Sequence, residues 1–143
     1  TLLRDLEVFS GSIADNVKLA KMESDSSEIR DILEKVGLMN RIQEFPTGIH
    51  AEIFRNGHPL IKEELALLVL ARCFISKPGL VLMDDLLNYL SKESLSKILP
   101  LIQEYKKYST FVIASFSPDV LKIADRVYTL KDGKTTEKGK VKE

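Results

Sequence analysis

Apolar residues recur at helical spacing in the first half of the chain and form short continuous runs in the second half. Ile29, Ile32, Leu33 and Val36 follow one another at intervals of three, one and three residues. This spacing predicts a helix with one buried face. Gly37 is expected to end that helix.

Polar or glycine-rich stretches separate this helix from its neighbours. The chain opens on a short predicted strand, and the turn at residues 10–12 can cap a helix that begins near Ile13. Residues 45–59 contain two prolines and two glycines among few periodic positions, which predicts an irregular loop. A further helix is predicted from Leu60, and its apolar content from Leu65 onward indicates burial on most sides.

Three apolar runs in the second half are too short for helices. They cover residues 79–85, 109–116 and 126–130, and helices are predicted between them from about Ser91 and over residues 117–124. The first two runs are expected to be buried on both faces, as in a parallel sheet. Strand, helix, strand, helix and strand in this order predict that all three strands join a parallel sheet with right-handed crossovers, which is an α/β fold.

Length and charge limit the classes of function. The chain has 143 residues, of which 44% are hydrophobic, so we expect a single domain with a core. Lys and Arg number 21 and so do Asp and Glu, giving zero formal net charge. Without a basic excess, we expect no nucleic-acid partner and no direct binding to anionic lipid. The longest apolar run, residues 65–75, contains Arg72 and is shorter than the roughly 20 residues that a spanning helix needs.

Most common catalytic motifs find no support in the sequence. His50 and His58 lie in loop sequence without cysteine or carboxylate at metal-ligand spacing, so we expect surface histidines. No histidine is placed by sequence to activate Ser12 or Ser115. The sequence "GKT" begins at Gly133, but Tyr128 stands where a phosphate-binding loop requires its first glycine. We interpret "GKT" as part of a turn.

Asp84 and Asp85 are the strongest candidates for chemistry. They follow the apolar run "LVLM", and in parallel sheets ligands bind beyond the carboxyl ends of the strands. One carboxylate there can hold a hydrated Mg²⁺, while its neighbour orients or deprotonates a water for phosphoryl transfer. The alternative is that both cap the next helix or face solvent.

Several stretches together resemble the nucleotide-binding domains of ABC transporters, in particular the exporter type. "DLEVFSGSIADNVKLA" is similar to the segment after the Q-loop, "ARCFISKP" to the helix end before the Walker B strand, and "GLVLMDD" to that strand. "IADRVYTLKDGKTTEKG" is similar to the final strands beyond the H-loop. The resemblance covers almost the whole chain in the right order. It implies a partial P-loop NTPase-like (RecA-like) parallel sheet with an inserted α-helical subdomain.

The resemblance assigns a family position to each candidate site residue. Asp84 takes the Mg²⁺-binding Walker B position and Asp85 that of the catalytic glutamate, with one methylene fewer. Arg4 takes the Q-loop glutamine position and Phe116 that of the switch histidine, where phenylalanine offers no hydrogen-bond donor. The D-loop is residues 88–91. These replacements imply weak hydrolysis or none by this chain.

The signature loop, "LSGGQ" in the family, aligns with Leu60, Ile61, Lys62, Glu63 and Glu64. Glycines at these positions let backbone amides approach the γ-phosphate at a helix N-terminus. The acidic side chains of Glu63 and Glu64 would instead oppose an anion. We therefore expect this loop not to bind ATP in the family's manner.

The resemblance also implies a wider setting. Thr1 aligns beyond the P-loop, so we expect a fragment of a single nucleotide-binding domain; a natural remnant is the alternative. Residues 12–76 would form the helical subdomain and signature helix, with 1–11 and 77–143 in the sheet core. The complete domain would bind ATP and Mg²⁺, although this chain alone is expected to bind neither. Its partners would be a transmembrane domain and a second nucleotide-binding domain, at the cytoplasmic face of the cell membrane.

Two readings from other classes remain open. One is a non-catalytic structural or interaction module derived from this fold. The other is a receiver-like phospho-aspartate domain, in which Asp84, Asp85, Ser115 and Lys131 would lie at strand ends. The order of elements disfavours a receiver, because a long helical region precedes the acid pair.

Overall fold

The computed structural model describes residues 6–138, and within them the chain is a mixed α/β structure. The helices are α1 (Ile13–Lys18), α2 (Ser26–Lys35), α3 (Met39–Gln43), α4 (Lys62–Ser76), α5 (Lys92–Tyr105) and α6 (Pro118–Ile123). The strands are β1 (Gly11–Ser12), β2 (Glu52–Ile53), β3 (Leu80–Asp84), β4 (Thr110–Ala114), β5 (Tyr128–Lys131) and β6 (Lys134–Glu137). Two 3-10 turns cover Gly48–His50 and Leu86–Tyr89. The predicted α/β class is confirmed.

Side chains at the predicted helix starts act as caps. Ser12 Oγ accepts a hydrogen bond from Asp15 N at 3.0 Å, and Asp15 Oδ2 accepts one from Ser12 N at 3.2 Å. Asp25 caps α2, and Ser91 caps α5 through Ser94 N. These bonds use amides that a helix leaves unpaired at its first turn, so the predicted starts near residues 13 and 91 are confirmed.

Helix α4 lies at the centre of the core. Every residue from Leu65 to Ala71 is buried, as are Phe74 and Ile75, because the helix packs against α1, α2 and the second 3-10 turn. The Phe74 ring lies 4.8 Å from that of Tyr105 on α5 and 6.4 Å from that of Phe111 on β4. The prediction of a helix buried on most sides is therefore confirmed, although α4 begins at Lys62 rather than Leu60.

Within residues 6–138, the parallel sheet consists of two strands. β3 and β4 pair in register from Leu80 with Thr110 to Asp84 with Ala114. The predicted third parallel strand is wrong, because β5 pairs antiparallel with β6 across the turn at Asp132 and Gly133. A tight turn brings the adjacent segment β6 alongside β5, so the hairpin forms locally and a RecA-like sheet is not confirmed.

Burial on both faces of β3 and β4 was also a wrong expectation. Val81 and Met83 are buried, whereas Leu80 is 55% exposed and Leu82 38% exposed. Val112 on β4 is 55% exposed. Since successive side chains of a strand point to opposite faces, one face packs on the core and the other is open in the described part of the chain.

The predicted irregular loop over residues 45–59 contains two short ordered pieces. One is the first 3-10 turn, and the other is β2, which pairs antiparallel with β1. Gly57 has φ +88°, and its carbonyl accepts a hydrogen bond from Leu60 N at 2.9 Å. This turn leads the chain directly into the start of α4.

Candidate functional site

The carboxyl edge of the β3–β4 pair carries the predicted acids. Asp84 ends β3 and is exposed, while the half-buried Asp85 follows with φ +55° and begins the second 3-10 turn. Asp85 Oδ1 accepts a hydrogen bond from Asn88 Nδ2 at 2.9 Å, and Asp85 O accepts one from Asn88 N at 3.0 Å. Asp85 is thus held by the turn that it starts. Asn88, which the sequence placed only in the D-loop, is its polar partner.

Phe116 lies at the same edge of the sheet. Because β3 and β4 are parallel and in register, the residues after Asp84 and after Ala114 leave the sheet side by side. Ser115 Oγ accepts a hydrogen bond from Ser117 N at 3.1 Å, and the Phe116 side chain is 94% exposed. The fold therefore places Asp84, Asp85 and Phe116 at one edge, beyond the carboxyl ends of parallel strands, where ligands commonly bind.

The segment predicted as the signature loop, residues 60–64, leads into the start of α4. Leu60 is buried, whereas Ile61 is exposed. Ile61 directly precedes Lys62, the first residue of the helix. Glu64 Oε2 accepts a hydrogen bond from Ile61 N at 2.9 Å, and its other carboxylate oxygen lies 3.2 Å from Arg41 Nε. The carboxylate of Glu64 thus accepts a hydrogen bond from a backbone amide at the N-terminus of its own helix, where the helix dipole favours negative charge.

Glu63 joins the start of α4 to Ser91. Its Oε1 accepts a hydrogen bond from Ser91 N at 2.9 Å, 28 residues further along the chain. Hydrogen bonds with Ser91 and Ser94 lower the pKa of the Glu63 carboxyl, because they stabilise its charged form. The sequence showed Glu63 only as an adverse charge, since no local pattern links it to Ser91.

The acid pair has oxygen donors suited to Mg²⁺. This ion commonly uses one or two carboxylates and completes its shell with water and substrate phosphates, a set that Asp84 could join. Over residues 6–138, no group of three or more His, Cys, Asp and Glu is arranged to hold a metal ion by itself. The residues fit a site that nucleotide phosphates and water would complete.

Of two other predicted site residues, one lies in another sheet and one is outside the described residues. Arg4 lies outside the described residues. Lys131 belongs to the β5–β6 hairpin, which is a different sheet from β3–β4, and this removes the third strand end that a receiver-like site would need. No helix in the described part of the chain is both long and apolar enough to span a bilayer.

Sequence comparison shows which known proteins this chain is similar to. No protein-family model matches it. Alignments with known proteins nevertheless cover 92–96% of the chain. Its curated homologues are ABC transporter ATP-binding/permease proteins.

Three of these ABC relatives illustrate the range. The chain is 25% identical over 138 residues to the Bacillus subtilis protein named "Probable multidrug resistance ABC transporter ATP-binding/permease protein YheH", covering 96% of the chain and 20% of the relative. It is 23% identical to human ATP-binding cassette sub-family B member 6, covering 96% of the chain and 16% of that protein. It is 29% identical to an uncharacterized ABC transporter ATP-binding protein of Haemophilus influenzae, covering 95% of the chain and 24% of that protein. The chain thus spans about a quarter or less of the curated relatives it matches.

Proposed function

We propose that this chain is the ATP-binding domain portion of an ABC-type exporter, contributing the helical subdomain and the C-terminal part of the sheet core. Residues 12–76 would form the subdomain and signature helix, and residues 1–11 and 77–143 would belong to the core. The ABC homologues that align along 95% of the chain support this role. In the complete protein it would couple ATP binding to export, through a transmembrane domain and a second nucleotide-binding domain at the cytoplasmic face of the membrane.

We further propose that the signature and catalytic positions of this chain are degenerate. The observation that carries this proposal is the occupied start of α4: Glu64 accepts from Ile61 N, and the charged Glu63 accepts from Ser91 N. A γ-phosphate approaching this helix end would be repelled by two carboxylates. These carboxylates already accept hydrogen bonds from nearby backbone amides and already interact with the positive end of the helix dipole. Little or no hydrolysis by this chain is the consequence.

The remaining positions support the same proposal. Phe116 has no donor for a phosphate oxygen, and the Asp85 carboxylate is one methylene shorter than glutamate and engaged by Asn88. Asp84 would contribute a carboxylate to Mg²⁺, while ATP and the other ligands would come from the complete domain. Arg4 would occupy the Q-loop position without the neutral amide of glutamine.

ATP hydrolysis by the complete transporter tests this assignment. Three versions would be compared: the natural sequence, the pair Asp85→Glu with Phe116→His, and a second set that also carries Ile61→Ser, Lys62→Gly, Glu63→Gly and Glu64→Gln. We expect low activity at this site in the natural sequence and an increase of at least about tenfold when donors and the longer carboxylate return. Asp84→Asn added to the restored protein is the control and should abolish the gain.

Two results would count against the proposal. A natural hydrolysis rate equal to that of intact ABC transporters would contradict degeneracy. Failure of the complete protein to bind Mg²⁺ and ATP would instead favour the alternative, a non-catalytic structural or interaction module derived from this fold.

A further inference from the structure

Arg72 makes an unusual set of contacts for an arginine in the middle of a core helix. Its Nε donates to Asn16 O at 3.0 Å, Nη1 donates to Glu7 O at 3.1 Å, and Nη2 donates to Asn16 Oδ1 at 3.1 Å. The guanidinium carbon also lies 5.7 Å from the centre of the Phe9 ring. One side chain on α4 therefore contacts Glu7, Phe9 and, on α1, Asn16, all more than fifty residues earlier in the chain.

Asn16 completes this contact from the other side. Its side chain is 1% exposed, and Oδ1 accepts from Phe9 N at 2.9 Å as well as from Arg72. Its Nδ2 donates to Phe9 O at 2.9 Å and to Ser12 O at 3.0 Å. All four hydrogen-bonding positions of the buried amide are used, so its orientation is fixed.

The two side chains hold a segment that has little regular structure of its own. Residues 6–10 belong to neither a helix nor a strand, and β1 is two residues long. Phe9 is 54% exposed, so burial of its side chain contributes little to holding the segment in place. Val8, between Glu7 and Phe9, is buried in the hydrophobic core. Polar bonds from Arg72 and Asn16 to the backbone of Glu7 and Phe9 add a second attachment on either side of Val8.

We propose that Arg72 is a positioning residue that clamps the segment Glu7–Ser12 to α4, so that this segment and the helix move as one body. Arg72 lies ten residues after Lys62, about 15 Å along the helix from its N-terminus. At that N-terminus Glu63 bonds Ser91, so α4 links the segment to the turn that follows Asp85. A displacement of the segment would thus reach the acid edge through a rigid helix.

The role of this linkage in transport depends on the proposed function, whereas the clamp can be tested without nucleotide. Backbone amide exchange of the chain would be followed by mass spectrometry for Arg72→Met, Arg72→Lys and the natural sequence. Methionine keeps much of the apolar stem, and lysine keeps the charge but lacks the planar fork that reaches several acceptors. Arg41→Met is the matched control, because Arg41 lies 4.6 Å from the centre of the Phe45 ring but pairs with carboxylates.

Both Arg72 variants should raise exchange in residues 7–12 by about tenfold or more, with exchange in α5 and in the core of α4 nearly unchanged. Arg41→Met should leave residues 7–12 protected. Unchanged protection of residues 7–12 in Arg72→Met would overturn the proposal. Equal loss of protection across all helices would also overturn it, since Arg72 would then serve global stability rather than hold this segment.

Discussion

Gly57 stands four residues before the exposed Ile61 at the start of α4. Replacing Gly57 with alanine should destabilise the fold in two separable ways. Its φ of +88° is a conformation that costs an L-residue about 1–2 kcal/mol. A Cβ added there would also lie 2.4 Å from Leu65 Cδ1, well inside contact distance. Leu65 is buried, so relieving this overlap costs about 1–3 kcal/mol more.

Gly57→Ala should therefore lower the free energy of unfolding by about 2–5 kcal/mol. Urea unfolding followed by circular dichroism at 222 nm would measure the change, with constant m-values as the check on two-state behaviour. Gly48→Ala is the matched control: Gly48 has φ +56°, and an added Cβ would meet nothing within 4 Å. That variant should show the conformational cost alone.

A double-variant cycle isolates the steric part. Leu65→Ala alone should cost about 2–5 kcal/mol through the cavity that it leaves. In Gly57→Ala with Leu65→Ala the overlap disappears, so the combined cost should fall short of the sum by about 1–3 kcal/mol. Equal costs for Gly57→Ala and Gly48→Ala, together with strict additivity in the cycle, would refute the reasoning.

Two further predictions concern Glu63 and Phe74. Because hydrogen bonds lower the folded-state pKa of Glu63, its carboxylate stabilises the fold above the unfolded pKa of glutamate, about 4.3, and this contribution is lost as pH falls through the lower folded value. The stability difference between the natural chain and Glu63→Gln, roughly 0.5–1.5 kcal/mol at pH 7, should shrink towards pH 3 in urea titrations. A stability difference independent of pH would contradict this prediction. The same pH dependence in the control variant Glu34→Gln, at an exposed position, would also contradict it. Phe74→Leu should cost about 1–3 kcal/mol because it loses the rings of Tyr105 and Phe111 as aromatic partners, measured by thermal unfolding. The control Phe116→Leu, at a 94% exposed position, should stay within about 0.5 kcal/mol, and equal effects of the two would contradict the packing argument.

Local chemistry explains why the elements of this chain could be predicted. Asp25, Ser91 and Pro118 lie at helix starts because a cap or a fixed φ acts within a few residues. Gly37, with φ +83°, follows α2 where a left-handed residue is needed. The acid edge could also be predicted, since an apolar run that ends in Asp84 and Asp85 implies a strand whose carboxyl end carries them.

Strand pairing and long-range polar contacts depended on the tertiary structure. β5 has the apolar pattern of a sheet strand, but the pattern does not show which strand it pairs with. The adjacent tight turn makes β5 pair with β6. Periodicity likewise could not show that Leu80 and Leu82 face outward, because continuous apolar runs look the same whether one face or both are covered.

The sequence by itself determined the order of helices α1, α2, α4, α5 and α6 and of strands β3, β4 and β5, together with the helix caps and the residues at the acid edge, because each follows from neighbours a few positions apart. It did not predict α3, β2 or β6. Only the tertiary structure decided that Glu63 bonds Ser91 and that Arg72 holds Glu7 and Asn16. Those contacts join residues 28 to 65 positions apart, and their geometry exists only after helix α4 has packed into the core.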